Sequence, residues 1–413
     1  MKQFNYLFYL VLFLGFFLPS NSNFHISYTG VEFEVREIAF LLLPFLNLLC
    51  WSKNRVIPAG KKVQYLILLF ISIVVVNELL KNLFYGGGLG ATFKTIRIGL
   101  PLFSCLIILF FGLRADVKKV WRTLLWAITA SAVLTLITPF VYLPIYPTIE
   151  GENIIEATRG RFINSNASFG IIGLYLLYKD SDKWYNRGLL IKITAILSII
   201  ILVISFNRTY LALFALAAAY LSFSEFSLRK AIKYISIPFL VLGVVWFTYN
   251  YSNVIQRQID KRILNIVLGQ TDLVESVYKD NRDNIYSSMY ERIIENHWLI
   301  GLPYKKEIFI KESASASKRS KMTKTDVSMY NVLIRYGMIP TFILILIFKG
   351  LMKHKLKMFN FMFILYLLAS LNIDSLVSHN SIFFLILILF IAFHEKKQQT
   401  HNSHNRAYIR TRV

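Results

Sequence analysis

Three arginines border apolar runs, where a permanent positive charge could take part in chemistry. Arg159 and Arg161 belong to the stretch Arg159-Gly-Arg-Phe-Ile-Asn-Ser-Asn166, which precedes an apolar run. Arg208 lies in a short interruption, Ser205-Phe-Asn-Arg208, between two long apolar runs. Because the planar guanidinium fork matches two oxygens of one phosphate group, these arginines predict phosphate binding. The alternative is that they reach polar surroundings or cap the ends of apolar helices.

The composition indicates which elements must position these arginines. Of the 413 residues, 55% are apolar and 17% are charged, whereas soluble domains carry about 25% charged residues. The sequence therefore predicts an all-α polytopic membrane protein with about twelve transmembrane helices. The apolar segments lie at 4–19, 37–51, 63–80, 96–113, 121–138, 168–178, 188–206, 208–223, 231–249, 328–348, 356–372 and 381–394.

The distribution of Lys and Arg predicts the orientation of these helices. One set of loops carries 24 Lys and Arg residues, and the short loops of the alternate set carry 7. Cytoplasmic loops of membrane proteins are enriched in these residues, so the richer set and both termini are predicted to be cytoplasmic. The net charge of +23 then belongs to the loops and requires no nucleic-acid partner. The poorer, external set contains Arg36, Lys81, Lys94, Arg97, Arg159, Arg161 and Arg208.

This pattern divides the chain into four parts. Residues 1–250 hold helices with short loops, 251–327 form one large external (periplasmic) loop, 328–394 hold the remaining helices, and 395–413 form a basic cytoplasmic tail. In the large loop, Ile255, Ile259 and Ile263 recur at helical spacing, which predicts short amphipathic helices. The small and polar stretch from Lys311 to Lys321 is predicted to be mobile.

Several classes of chemistry are excluded. The sequence has no Walker loop, no G-x-S-x-G turn and no H-E-x-x-H helix. The predicted cytoplasmic loops are too short for a nucleotide-binding domain, so direct use of ATP or a nucleotide sugar is not expected. Cys50 and Cys105 both lie inside apolar runs, which excludes a disulfide framework and a thiolate metal cluster. Any chemistry should therefore use a substrate that is already at the outer face.

Four stretches along the predicted outer face resemble the motifs of one family. They are Arg159 to Asn166, with Gly170 eleven residues after Arg159; Ser205-Phe-Asn-Arg208; Arg282-Asp-Asn-Ile-Tyr286 followed by Glu295-Asn-His-Trp-Leu-Ile-Gly301; and Asp326 to Tyr336-Gly337. In the same order, the O-antigen polymerase and ligase superfamily of bacterial polysaccharide assembly has an Arg-x-Gly-x-Phe-x-Asn-x-Asn segment and a Ser-x-Ser-Arg turn. An Arg-x3-Trp helix with an Asn-Pro-Leu-x-Gly turn and a His-Asn-x-x-Leu segment follow.

The resemblance implies a helical membrane glycosyltransferase that needs no metal or other cofactor. Its donor is a polyprenyl-diphosphate-linked oligosaccharide, and its partners are membrane lipids and a chain-length regulator and flippase of the same pathway. Arg208 and Arg282 are implied to offset the charge of the leaving diphosphate, and Asp326 is the candidate base. The alternative for Asp326 is a charge at a helix N-terminus. The implied substrate-binding residues are Arg159, Arg161, Asn166, Tyr286 and His297.

Departures from the family pattern favour one branch of it. Asp326-Val327 stands where ligases carry His-Asn, Tyr286 replaces the Trp, and His297 replaces the Pro. The absent His favours a polymerase of O-antigen or capsule-like repeat units in the bacterial inner membrane. The alternative is a ligase that transfers finished glycan to another acceptor.

A transporter is the third hypothesis, and it predicts paired broken helices and charges near the bilayer midplane.

Intramembrane charges are often functional. Glu78 and Lys192 lie within predicted spans. They are left out of the predicted site because both side chains can reach the interface.

Overall fold

The structure is a computed structural model, and its helices account for most of what it describes. The described residues are 2–18, 25–28, 31–52, 59–85, 92, 95–97, 99–137, 169–178, 189–204, 208–224, 243, 246–247, 249–251, 256, 259–260, 299–302, 308–311, 319–322, 328–352 and 357–370. Within them the fold is mostly helical, as predicted.

The helices follow the predicted apolar segments closely. The elements are α1 (Lys2–Phe17), β1 (His25–Tyr28), β2 (Val31–Glu34), α2 (Val35–Leu49), α3 (Lys61–Tyr85), α4 (Leu100–Phe111), α5 (Val117–Ile137), α6 (Phe169–Tyr178), α7 (Leu189–Ile204), α8 (Arg208–Ser224), β3 (Ile308–Lys311), β4 (Arg319–Met322), α9 (Ser328–Tyr336), α10 (Met338–Leu351) and α11 (Lys357–Ser370). Each predicted apolar segment overlaps at least one of these helices, except 231–249 and 381–394, which lie largely or wholly outside the described residues.

Two of the described helices, α3 and α5, are long and apolar enough to cross a membrane. The 25 residues of α3 extend about 37 Å at a rise of 1.5 Å per residue. Only 33% of the most apolar 18-residue segment of α3 is buried inside the protein. Leu68, Leu79 and Leu83 accordingly point away from the rest of the protein.

Two short hairpins interrupt the helical pattern, and the sequence did not predict them. β1 pairs antiparallel with β2, with His25 opposite Glu34, and β2 runs directly into α2. β3 pairs antiparallel with β4 inside the predicted external loop, with Lys311 opposite Arg319. The ends of the stretch predicted to be mobile therefore belong to strands, and its residues 312–318 lie outside the described residues. The amphipathic helices predicted around 255–266 fall largely outside the described residues.

The predicted tenth span is wrong in one respect, because it is two helices rather than one. α9 ends at Tyr336 and α10 begins at Met338. Gly337 between them has φ +94°, a left-handed conformation that glycine adopts without steric cost. Asn331 and Arg335 precede this glycine and Pro340 follows it by three residues, and these are the local signs of the break in the sequence.

The helices pack in a continuous series around a shared apolar core. From α1, one direction leads through α5, α7, α6 and α8 to α11, and the other through α2, α4 and α3 to α9 and α10. The two ends of the series meet, because Phe348 of α10 packs against Phe363 of α11 with ring centroids 5.5 Å apart. Fully buried core side chains include Phe40, Ile67, Leu106, Ile128 and Leu202.

One end of this bundle carries the Lys-rich ends of several helices. The Asn5 side chain of α1 donates to the Trp51 carbonyl, 3.4 Å away, just beyond α2. The Gln64 side chain at the start of α3 donates to the Phe110 carbonyl at the end of α4, 2.8 Å away. Gly350 near the end of α10 packs against Val63 near the start of α3. These five helices therefore have ends that lie together, and we call this end of the bundle the Lys-rich end.

Candidate functional site

Most residues of the predicted site lie outside the described part of the chain. Arg208 is the first residue of α8, and the structure describes its backbone but not its side chain. The others, none of them within the described ranges, are Arg159, Arg161, Asn166, Arg282, Tyr286, His297 and Asp326. Their roles stay predictions, and the described residues indicate a different polar site.

A buried polar cluster joins α3 to α9 at the end of the bundle opposite the Lys-rich end. Each member is at most 5% exposed. Such burial of charged and amide groups is rare in proteins unless the groups are paired. We call this group the α3–α9 cluster, and its members are Asn77, Glu78, Lys81, Thr95, Arg335 and Tyr336.

An ion pair within α3 forms the centre of the cluster. The Lys81 ammonium lies 2.5 Å from the Glu78 carboxylate, one helical turn away. The hydroxyl of Thr95 also donates to Glu78, and the guanidinium of Arg335 interacts electrostatically with both members of the pair. Glu78 is thus surrounded by groups that compensate its charge, which a buried carboxylate requires.

Side chains of α3 also bind the C-terminal end of α9. The Lys81 ammonium donates to the backbone carbonyl of Arg335. The amide of Asn77 donates to the carbonyl of Tyr336 at 2.8 Å. The last carbonyls of a helix have no partner within it, and its C-terminus attracts a positive charge. Lys81 therefore donates a hydrogen bond to one of these carbonyls, and its positive charge interacts favourably with the negative end of the α9 helix dipole.

Tyr336 extends the cluster toward α4. Its hydroxyl donates to the carbonyl of Thr95 at 3.1 Å. Its ring meets that of Phe103 edge to face, with centroids 5.7 Å apart. It also packs against Gly99, the residue before α4, so closely that a Cβ there would collide with the hydroxyl. The last residue of α9 is therefore fixed by backbone, ring and hydroxyl contacts together.

A second charged group lies next to this cluster, at the start of α2. Glu37 accepts a hydrogen bond from Arg97 at 2.6 Å and another from the backbone of Glu34 at 3.1 Å. Arg36 is 1% exposed, and its guanidinium carbon lies 5.7 Å above the ring of Phe40. Residues 95–97 link the two groups, because Thr95 belongs to the α3–α9 cluster and Arg97 binds Glu37.

Two glycines from separate motifs meet at the same end of the bundle. Gly301 has φ +79°, and a Cβ on it would lie 2.7 Å from the carbonyl oxygen of Arg335 and 2.8 Å from the nitrogen of Gly337. The next residue, Leu302, donates its N–H to the carbonyl of Ile334 at 2.6 Å. The turn that ends in Gly301 therefore packs directly on the end of α9.

The arrangement of these side chains can hold α3, residues 95–97 and α9 in fixed positions relative to one another. All six side chains of the α3–α9 cluster are buried, and hydrogen bonds connect α3, residues 95–97 and α9. A buried hydrogen-bond network of this kind favours one arrangement of the elements that it joins. Among the described residues, no three His, Cys, Asp or Glu side chains lie close enough to hold a metal ion.

Sequence reasoning assigned no role to these residues. Lys81 and Arg36 were counted among the external loop charges, but both lie within helices and are buried. A usable signal was present in Glu78 and Lys81, since opposite charges three residues apart on one helix can form an ion pair. Asn77 and Arg335 gave no such signal, because their partners lie far away in the sequence.

Comparison with known proteins gives no assignment. No protein-family model matches the sequence, and no curated protein matches it. The resemblance to polysaccharide polymerases and ligases therefore depends on the four motifs alone. The contact between Gly301 and Gly337 bears on it, since these glycines end the third and fourth of those motifs.

Proposed function

We propose that this protein is a membrane glycosyltransferase that polymerises polyprenyl-diphosphate-linked oligosaccharide repeat units. It acts at the outer face of the bacterial cytoplasmic membrane, with about twelve transmembrane helices and both termini in the cytoplasm. The product is an O-antigen or a capsule-like polysaccharide. The ligase stays the alternative within the same chemistry.

The placement in a membrane is supported by the distribution of apolar and charged side chains. Leu68, Leu79 and Leu83 of α3 are exposed, while Glu78 and Lys81 of the same helix are buried. In water this arrangement would place apolar surface against solvent and remove charge from it. In a bilayer the same arrangement is favourable, because intramembrane charges face the interior of a helix bundle and pair with one another.

The contact between the two motif glycines is the observation that carries the enzymatic part of the proposal. It joins the end of the turn formed by residues 299–302 to the junction of α9 and α10. The polymerase hypothesis needs residues of the external loop and the helix that follows it to work on one substrate. The backbone contact between Gly301 and Gly337 brings these two motifs together, which supports the proposal.

The reaction follows from the chemistry of the donor. An acceptor sugar hydroxyl attacks the anomeric carbon of the donor, a new C–O bond forms, and the bond from that carbon to the diphosphate oxygen breaks. The lipid diphosphate leaves with the electron pair, and the hydroxyl proton passes to a base. Arg208 and Arg282 are proposed to offset the charge of the leaving diphosphate, and Asp326 to accept the proton.

A transporter is the competing class, and the break at Gly337 is a feature that transporters share. The charged residues argue against it. Position 73 is the middle of α3, so Glu78 lies about 7.5 Å and Lys81 about 12 Å along the axis from the middle toward one end. A transport site at the bilayer midplane would place its charges near the middle of the helix.

Removal of the protein from the bacterium that makes it tests the proposal. Loss of a polymerase is expected to leave surface acceptors that carry a single repeat unit. Loss of a ligase would instead leave finished polymer on the polyprenyl carrier, and loss of a transporter would retain the carrier-linked substrate on the cytoplasmic side. Unchanged glycan on the carrier and at the surface would overturn all three. Expression of the intact chain in the deletion strain is the control.

A further inference from the structure

We propose that Lys81 and Asn77 are positioning residues for the transfer reaction. They fix α9, the helix at which the predicted external loop ends, by donating hydrogen bonds to its last carbonyls. The inference rests on the proposed function and deepens it, because it names residues that arrange the site without touching the substrate.

The first step of the argument concerns the stability of α9. It has nine residues, and an isolated helix of this length does not form in water. Of its last four carbonyls, that of Leu333 accepts from the backbone of Gly337. The following three accept from outside the helix: Ile334 from Leu302, Arg335 from Lys81, and Tyr336 from Asn77. The position of α9 is therefore determined by its partners.

The second step concerns the loop. The N–H of Leu302 donates to the carbonyl of Ile334 at 2.6 Å. The segment between these two residues therefore begins and ends at the same place on the bundle. The donors from α3 act on the adjacent carbonyls. The same few hydrogen bonds thus fix both the base of this part of the loop and its position relative to α3.

The third step concerns rate. A catalytic group that is displaced by about 1 Å can lose about a hundredfold in rate. Loss of the donors from α3 should therefore lower the rate of transfer even when the bundle stays folded. A purely structural contact would instead affect the amount of folded protein and leave the rate per folded molecule unchanged.

The chain offers matched variants. Lys81→Met removes the donor but leaves Glu78 buried without its ion-pair partner, which can prevent folding. The double variant Glu78→Gln/Lys81→Met removes both charges and still lacks the ammonium donor. Lys61→Met is the control for the substitution, since Lys61 is exposed at the other end of α3.

A second pair separates positioning from stability. Asn77→Ala and Asn47→Ala each remove a buried amide that donates to a carbonyl at 2.8 Å. At the Lys-rich end, Asn47 donates to the carbonyl of Gly112 and also accepts from the backbone N–H of Arg114, so Asn47→Ala loses at least as many contacts as Asn77→Ala, at the opposite end of the bundle. Only the loss at Asn77 should change the rate per folded molecule.

The assay uses purified full-length protein in lipid nanodiscs, with carrier-linked repeat units isolated from a strain that lacks the protein. For Glu78→Gln/Lys81→Met and for Asn77→Ala, kcat is expected to fall about ten- to a hundredfold with KM within about twofold. Lys61→Met and Asn47→Ala should retain the wild-type kcat. Wild-type kcat in both the double variant and Asn77→Ala would overturn this inference and leave the proposed function standing. Absence of polymer with wild-type protein would overturn both.

Discussion

Gly301 and Gly337 are in backbone contact, with a virtual Cβ on Gly301 only 2.8 Å from the nitrogen of Gly337. Both have positive φ, +79° and +94°. The contact brings together two residues that are far apart in the sequence. It places the break between α9 and α10 against the turn formed by residues 299–302. Neither position has room for a side chain, and both need a conformation that other residues adopt at a cost.

Replacement of either glycine by alanine should therefore destabilise the protein. A left-handed conformation costs a non-glycine residue about 1–3 kcal/mol, and the collision with neighbouring backbone adds to it. For Gly301→Ala and Gly337→Ala we expect a loss of more than about 2 kcal/mol in stability, measured as a lower unfolding temperature in detergent. Gly60→Ala is the matched control, since a Cβ there meets nothing within 4 Å. Wild-type stability of both variants would contradict the geometry of this contact.

A second glycine prediction concerns the packing of α6 on α7. A Cβ on Gly170 would lie 2.8 Å from the Cβ of Leu202 and from the carbonyl oxygen of Ser198. Small residues let transmembrane helices approach closely, and overpacking typically costs about 1–3 kcal/mol. Gly170→Ala should lower stability by this amount, whereas Gly15→Ala in α1 should be tolerated because its Cβ would stand 3.5 Å from Ala39. Equal unfolding temperatures for the two variants would refute the prediction.

These two cases show what the sequence could and could not predict. The helices follow apolar runs, which is the pattern that the proposed membrane helices require. Gly170 was visible only as a motif spacing from Arg159, and its reason is a helix contact that no local pattern encodes. The conformation of Gly337 depends on its contact with residues 299–301, which are distant in the sequence.

The predicted arginine site and the α3–α9 cluster differ in the same way, because the first follows from residue type and the second from contacts between residues distant in the sequence. Arginines near phosphate can be proposed from residue type alone, because the guanidinium geometry is intrinsic. The role of Lys81 depends on the carbonyl of Arg335, which lies far away in the sequence. A buried charge is recognisable in a sequence only when its partner is nearby, as Glu78 is here.

The orientation of the chain in the membrane is the third prediction. A reporter fused after His394 should behave as cytoplasmic, and a cysteine introduced at Ser315 should react with an external reagent that does not cross membranes. A cysteine at Gly60, near the Lys-rich end, should react only after permeabilisation. Background labelling should be low because Cys50 and Cys105 are each 1% exposed. An external C-terminus would contradict the topology and the placement of every proposed site residue.

The fourth prediction concerns Arg208 at the start of α8. Loss of one charge-assisted contact made in the transition state is worth about 1.5–3 kcal/mol, or about ten- to a hundredfold in rate. Both Arg208→Ala and Arg208→Lys should show this loss in the polymerisation assay, because lysine keeps the charge but lacks the bidentate fork. Arg122→Ala and Arg122→Lys are the controls, since Arg122 is exposed on α5. Full-length glycan from Arg208→Ala at normal abundance would remove this residue from the site.

The last prediction separates three roles of Asp326, which precedes α9 by two positions. A base that accepts the acceptor proton is lost in Asp326→Asn, so polymer should be nearly absent. An aspartate that only holds the acceptor hydroxyl by a hydrogen bond is partly replaced by asparagine, so chains should be shorter. A charge at the N-terminus of α9 contributes about 0.3–1 kcal/mol to stability and nothing to the reaction. Chain length on gels and unfolding temperature together distinguish the three.

We expect the base role, with kcat for Asp326→Asn and Asp326→Ala reduced by at least about a hundredfold. The matched control is Asp260→Asn, since Asp260 also lies in the predicted external loop and accepts a hydrogen bond from the Tyr249 hydroxyl at 3.1 Å. The control should lose that contact without losing polymer. Because an aspartate is a weak base near neutral pH, its action requires that the arginines carry most of the catalysis, and Arg208→Ala should therefore slow transfer in the same assay. Wild-type chain length in both Asp326 variants would reduce the residue to a helix-end charge and place the base elsewhere.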